Sequence, residues 1–125
     1  PTTSVFSVGS DLSVNGEEHI AYVWADCDGY SKFGTFSGNS STQSITGVGF
    51  KPDWVMIKRY DGTENWYIQD SVRGSTKQVY ANLNNAEYDE TGAITSFDSD
   101  GWTMGSYNGI NNSGESYIYM AFKMN

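Results

Sequence analysis

Leucine is almost missing from this sequence. Only Leu12 and Leu83 occur among 125 residues, and without the best apolar helix former, long amphipathic helices are excluded. Cysteine occurs once, at Cys27, so no disulfide closes within the chain and the redox compartment stays open. His19 is the sole imidazole. That removes His/Cys metal sites, which need three or four such ligands, and leaves a nucleophilic serine a single imidazole as its base. Seven basic residues stand against fifteen acidic ones, giving a net charge of −8 and a pI near 4.3. So acidic a chain repels phosphate backbones and anionic bilayers, which argues against nucleic-acid partners. No apolar run approaches the roughly 20 residues that cross a bilayer, and the amino-terminal residues lack the basic and apolar regions of a signal peptide. The expectation is a soluble chain without membrane insertion, any export being encoded elsewhere.

What is abundant points one way. Nine Tyr, six Phe, four Trp, eight Val and seven Ile supply the apolar volume, and these aromatic and β-branched types suit pleated, half-buried surfaces. Gly, Ser, Thr and Asn supply 14, 16, 10 and 10 residues, enough to punctuate the chain with turns. Turn residues recur at about 8- to 12-residue spacing between short alternating stretches, the signature of a sandwich or barrel. The pattern predicts one all-β domain, an antiparallel β-sandwich of jelly-roll or concanavalin-like type. About ten short strands are expected near 4–9, 18–26, 31–37, 42–48, 53–60, 65–70, 78–83, 93–97, 101–106 and 116–123. Asp61-Gly62 and Asp98-Ser99-Asp100-Gly101 are the clearest hairpin signals. The stretch from Leu83 to Thr91 has room for one short helical turn.

The sequence also repeats itself. Phe6-Ser7-Val8-Gly9-Ser10 and Asn15-Gly16-Glu17-Glu18-His19-Ile20-Ala21-Tyr22-Val23-Trp24 reappear as Trp102-Thr103-Met104-Gly105-Ser106 and Ser113-Gly114-Glu115-Ser116-Tyr117-Ile118-Tyr119-Met120-Ala121-Phe122. The offset is 96 residues for the first block and 98 for the second. Residues 1–26 therefore read as a copy of the carboxy-terminal hairpin, and residues 29–125 as one complete sandwich unit. An extra strand of this kind can pair with a neighbour's open sheet edge, which predicts association of copies into a homo-oligomer, a ring or a filament.

Asp28-Gly29-Tyr30-Ser31-Lys32-Phe33-Gly34-Thr35-Phe36-Ser37-Gly38-Asn39 and Gly47-Val48-Gly49-Phe50-Lys51-Pro52-Asp53-Trp54-Val55-Met56-Ile57-Lys58-Arg59 resemble segments of bacteriophage tail-fibre repeats, as do Asp70-Ser71-Val72-Arg73-Gly74 and the stretch from Ser113 to Phe122. The resemblance covers nearly the whole chain. It implies a lectin-like β-sandwich in a virion fibre or appendage, commonly in tandem, at an extracellular or virion location, and it brings no catalytic residue.

Read one by one, the chemistry-bearing residues point away from turnover. His19 stands where its repeat partner has Tyr117, which fits packing better than catalysis. Carboxylates on both sides of Cys27 disfavour a reactive thiolate. A glycosidase pair could be drawn from Asp61, Glu64, Asp70, Glu87, Asp89, Glu90, Asp98 and Asp100, but spacing singles out no two of them. Asp98 and Asp100 alternate before a glycine as calcium ligands do, without the rest of a calcium loop; turn capping is the preferred reading, no cofactor is expected, and Ca2+ is the one ion left open. Glycan binding is the sharper expectation, because aromatic faces stack on pyranose rings while amides take hydroxyls. Tyr60, Tyr67, Tyr88 and Tyr107, with Asn108 and Asn111 in the Asn-rich loop, are the candidate surface. The sequence thus predicts a non-enzymatic structural or adhesive fibre module whose loops meet a host-surface glycan. A filament subunit joined by strand addition and a stand-alone carbohydrate-binding module are the alternatives.

Overall fold

The computed structural model describes residues 2, 4–12 and 15–124. Among the described residues nine strands form two antiparallel sheets. In chain order they are β1 (Ser31–Ser37), β2 (Gln43–Ile45), β3 (Trp54–Arg59), β4 (Trp66–Asp70), β5 (Gly74–Tyr80), β6 (Tyr88–Asp89), β7 (Ile94–Asp98), β8 (Gly101–Met104) and β9 (Ser116–Phe122). One sheet runs β1-β9-β3-β4-β5-β6 and the other β2-β8-β7. They pack face to face as a β-sandwich, with the core between them.

Alternation decides which residues enter that core. On β9, Tyr117, Tyr119 and Ala121 point inward and Ile118, Met120 and Phe122 outward; on β3, Val55 and Ile57 point inward. From the small sheet come Ile45, Ile94, Trp102 and Met104. Trp102 has no exposed surface, and its ring meets Tyr119 edge-on across the core, centroids 4.9 Å apart. Edge-to-face contact of this kind adds about 1 kcal/mol beyond the buried area.

The β7–β8 connection is the tight turn expected at Asp98-Ser99-Asp100-Gly101. Asp100 accepts the backbone N–H groups of Gly47 (3.0 Å) and Gly49 (2.6 Å), tying the loop between the sheets to this turn. Gly101 is required there: its φ is +144°, and a Cβ would lie 1.9 Å from the Ile45 carbonyl oxygen. The β3–β4 hairpin also forms around Asp61-Gly62.

Several expectations need correction. The strand expected at 78–83 is β5, shifted back to Gly74–Tyr80, because Asp70 and Arg73 turn the chain immediately after β4. The short strand β6 lies inside the stretch expected to hold a helical turn, and the one α-turn, α1 (Asn108–Asn111), is in the Asn-rich loop instead. Neither residues 4–9 nor residues 17–26 are hydrogen-bonded as a strand. Most informative is the fate of the carboxy-terminal hairpin. β8 and β9 do not pair with each other; they lie in different sheets and are joined over the end of the sandwich through α1. The repeated element is a sheet-crossing arch.

Truncating the largest buried side chain tests this core. Trp102→Ala is expected to cost about 4 kcal/mol through its cavity, and Gly101→Ala about 2–3 kcal/mol through strain and the clash with Ile45. Urea denaturation measures both, with Ser99→Ala, on the exposed turn, staying within about 0.5 kcal/mol of the parent.

Candidate functional site

Three loops meet at one end of the sandwich. β1 and β3 finish there and β9 begins there, as the pairings Ser37↔Ser116 and Arg59↔Tyr117 require. The loops that follow or precede them are residues 38–42, 60–65 and 105–115.

Asn111 locks this end. It is fully buried. Its Nδ2 donates to the carbonyls of Ser41 (2.6 Å) and Gly105 (2.7 Å), and its Oδ1 accepts the Asn39 N–H (2.9 Å). Gly38 packs so closely that a Cβ would lie 2.2 Å from the Asn112 carbonyl oxygen. A second lock is ionic: the Arg59 guanidinium meets Asp61 and Glu115, each at 2.7 Å, and Asp61 also accepts the Ser116 N–H. The Arg59 hydrogen bond holds the Asp61 carboxyl below its ordinary pKa.

Beside these loops four tyrosines cluster. Tyr67 meets Tyr80 at 5.3 Å and Tyr107 at 5.7 Å, and Tyr80 stacks on Tyr88 at 5.5 Å. Tyr67 donates to Glu64 (2.9 Å), the Tyr80 and Tyr88 hydroxyls are 2.8 Å apart, and the buried Gln78 amide reaches Tyr88. Burial, with the Tyr107 hydroxyl beside them, pushes the Tyr67 and Tyr88 hydroxyls well above the usual tyrosine pKa. Burial also pushes Tyr117 up to about 12. These hydroxyls remain neutral donors throughout the physiological range.

The six candidate glycan residues therefore divide. Tyr60, 57% exposed, and Asn108 face solvent at the loop end. Tyr88 and Tyr107 are half-buried in the tyrosine cluster. Tyr67 and Asn111 are not on the surface at all, and their place in an exposed platform is corrected. Tyr67 lies on the core face of β4, and Asn111 spends its amide on three backbone groups.

Sequence reading missed the outward face of the large sheet. Phe33, Trp66, Ile118 and Met120 line an apolar depression there, and Trp24 leans over it. Trp66 and Ile118 are each 37% exposed. The signal was the apolar residues at both parities of β3 and β9, which mark a strand whose second face is also apolar.

The carboxylates are committed elsewhere. Asp70 accepts the Val72 and Arg73 N–H groups and the Arg73 Nε, and Arg73 also reaches Glu87. Asp89 binds Lys77 and Thr76, Glu90 accepts the Gly92 N–H, and Asp98 accepts the Thr103 and Ser96 hydroxyls. Asp98 and Asp100 serve separate loops. Among the described residues no group of three or more His, Cys, Asp or Glu converges as a metal cluster. His19 and Cys27 are both exposed on the amino-terminal segment.

All 125 residues match a family described as a domain of unknown function, DUF7483, and the chain belongs to that family. No curated protein and no solved structure matches it.

Two outcomes test this geometry. Asn111→Ala removes three hydrogen bonds that tie loop backbone together and leaves a cavity, and should cost about 2–4 kcal/mol, whereas Asn108→Ala, at an exposed position, should change denaturation midpoints little. The tyrosines predict the alkaline limit. Their folded pKa values are raised, so the stabilisation is complete below the unfolded value of about 10 and is lost as pH climbs through the folded values. The tyrosinate absorbance of the buried rings should appear only together with loss of the fold.

Proposed function

We propose that this protein is a structural and adhesive module of a virion-type fibre or appendage, working by shape and surface without turnover. The carrying observation is the locked loop end. Asn111, Arg59 and Gly38 fix three loops on a rigid sandwich, so that Tyr60 and Asn108 are presented to solvent with little ordering entropy left to lose on binding. The eight carboxylates suited to glycoside hydrolysis are all engaged in caps, ion pairs or a tyrosine hydrogen bond, which supports a role without catalysis. The resemblance to tail-fibre repeats supplies the virion setting, and a host-surface glycan suits an exposed ring beside an amide.

A second reading, a free carbohydrate-binding module, is favoured by the Trp66–Ile118 face, whose flat apolar surface suits stacking on a sugar ring. Strand addition has less support. The Phe33 N–H on the free edge of β1 is taken by Asp26, which also pairs with Lys32, and the opposite edge strand, β6, has only two residues.

Glycan-array binding separates these readings. The loop-end reading predicts binding that falls at least about tenfold in Tyr60→Ala, the loss of one stacked ring, and is retained in Trp66→Ala. The reverse pattern favours the sheet face, and absence of binding to host glycans and host cells alike removes the adhesive role.

A further inference from the structure

The amino-terminal segment copies the arch in conformation as well as in sequence. Thr2 N–H donates to the Val5 carbonyl at 2.7 Å. This bond draws together residues 2 and 5, which the 96-residue offset aligns with Asp98 and Gly101, the flanks of the turn into β8. A helical turn follows at Ser10–Leu12, and past the change of offset from 96 to 98 Leu12 aligns with Ile110 of α1. Gly16 then has φ +87°, and its counterpart Gly114 has φ +81°. A short helical turn and then a left-handed glycine recur in order.

The side chains recur with them. One hollow is lined by Glu17 and Ile20 together with Phe6, Val8, Leu12, His19 and Ala21, and the last five bear comparison with the core. Their counterparts are Trp102, Met104, Ile110, Tyr117 and Tyr119, all core residues with at most 7% exposure. Yet Phe6 is 53% and Leu12 62% exposed, and Val23, the counterpart of fully buried Ala121, is 75% exposed. Among the described residues no hydrogen bond joins residues 4–24 to the sandwich. The hollow has the lining of a sandwich core without its other wall.

We infer that residues 4–24 are the closing arch of a second sandwich, and that their apolar hollow receives the β1–β7 body of another unit of this same repeat, joined to it at Thr2. In residues 29–125 the core walls facing the arch are Ile45, Val55, Ile57 and Ile94; the body of another such unit offers the same walls. β7 reaches β8 across two residues only, and Thr2 and Val5, which hold the aligned positions, are drawn together by a backbone hydrogen bond, so the incoming strand is supplied in line. Successive sandwiches would then be linked by the short Ala25–Tyr30 connection, where Ser31 Oγ donates to Ala25 and Asp26 holds Lys32 and the Phe33 N–H. That connection fixes the angle between units and makes a rod rather than beads on a string. The inference stands whether or not the loops bind a glycan.

The test places a copy of residues 29–96 directly ahead of Pro1 in the full 125-residue chain, which preserves the spacing of the unit. Amide exchange of residues 17–24 should slow at least about 100-fold relative to the chain without the added body. The same fusion carrying Val23→Asp should lose that protection while residues 31–122 keep theirs. Residues 17–24 that still exchange freely in the fusion, with residues 31–122 protected, overturn the inference. So does a 125-residue chain that sediments as a dimer with residues 17–24 protected, since the hollow is then covered by a second copy of the arch.

Discussion

The structure depends on one constraint: β8 and β9, joined by a single short arch, are interior strands of opposite sheets. β8 lies between β2 and β7, and β9 between β1 and β3. Neither sheet is continuous without them, and their inward residues, Trp102 and Met104 on one side and Tyr117, Tyr119 and Ala121 on the other, meet across the core. The last quarter of the sequence therefore closes both layers at once. Contacts so distant in sequence must wait for most of the chain, which makes this a high-contact-order fold.

The same constraint positions the loop end. Because the arch crosses from sheet to sheet through α1, it carries Asn111 into the gap between the loops, where a buried amide finds three backbone partners. Tyr117, at the start of β9, donates to Glu115 and accepts the Asn112 N–H, so closure of the core and fixing of the surface loops are one event. A rigid recognition surface follows from a strand needed for stability. The proposed second arch accounts in the same way for the exposed apolar side chains of residues 4–12 and 15–24, an arch being built to be covered on its inner side.

Much of this was legible in the sequence. The poverty in leucine, the turn spacing and the Val-Ile-aromatic alternation gave the fold class, and Asp-Gly pairs gave two turns. Alternation placed Trp66 and Tyr67 on opposite faces of β4 but could not say which face is inner, because both are apolar; packing of the Tyr67 ring against Tyr80 and Tyr107 decides it, and those contacts are tertiary. β5 carries Gly74-Ser75-Thr76-Lys77 with no apolar period, so its start was invisible. Asn111 looks like any loop amide until its partners, 70 residues away in sequence, are in place. The repeat showed in the sequence, whereas its nature as an arch did not, since pairing of two extended runs with each other or with different sheets leaves the same alternation.

Native-state hydrogen exchange in increasing denaturant tests the shared closure most directly. The amides of β8 and β9 should exchange only through global unfolding, with one common free energy and one common denaturant dependence for Trp102, Met104, Tyr117 and Tyr119. Release of β8 in a separate, lower-energy opening that leaves β9 protected would contradict it, because the two sheets would then be closed independently.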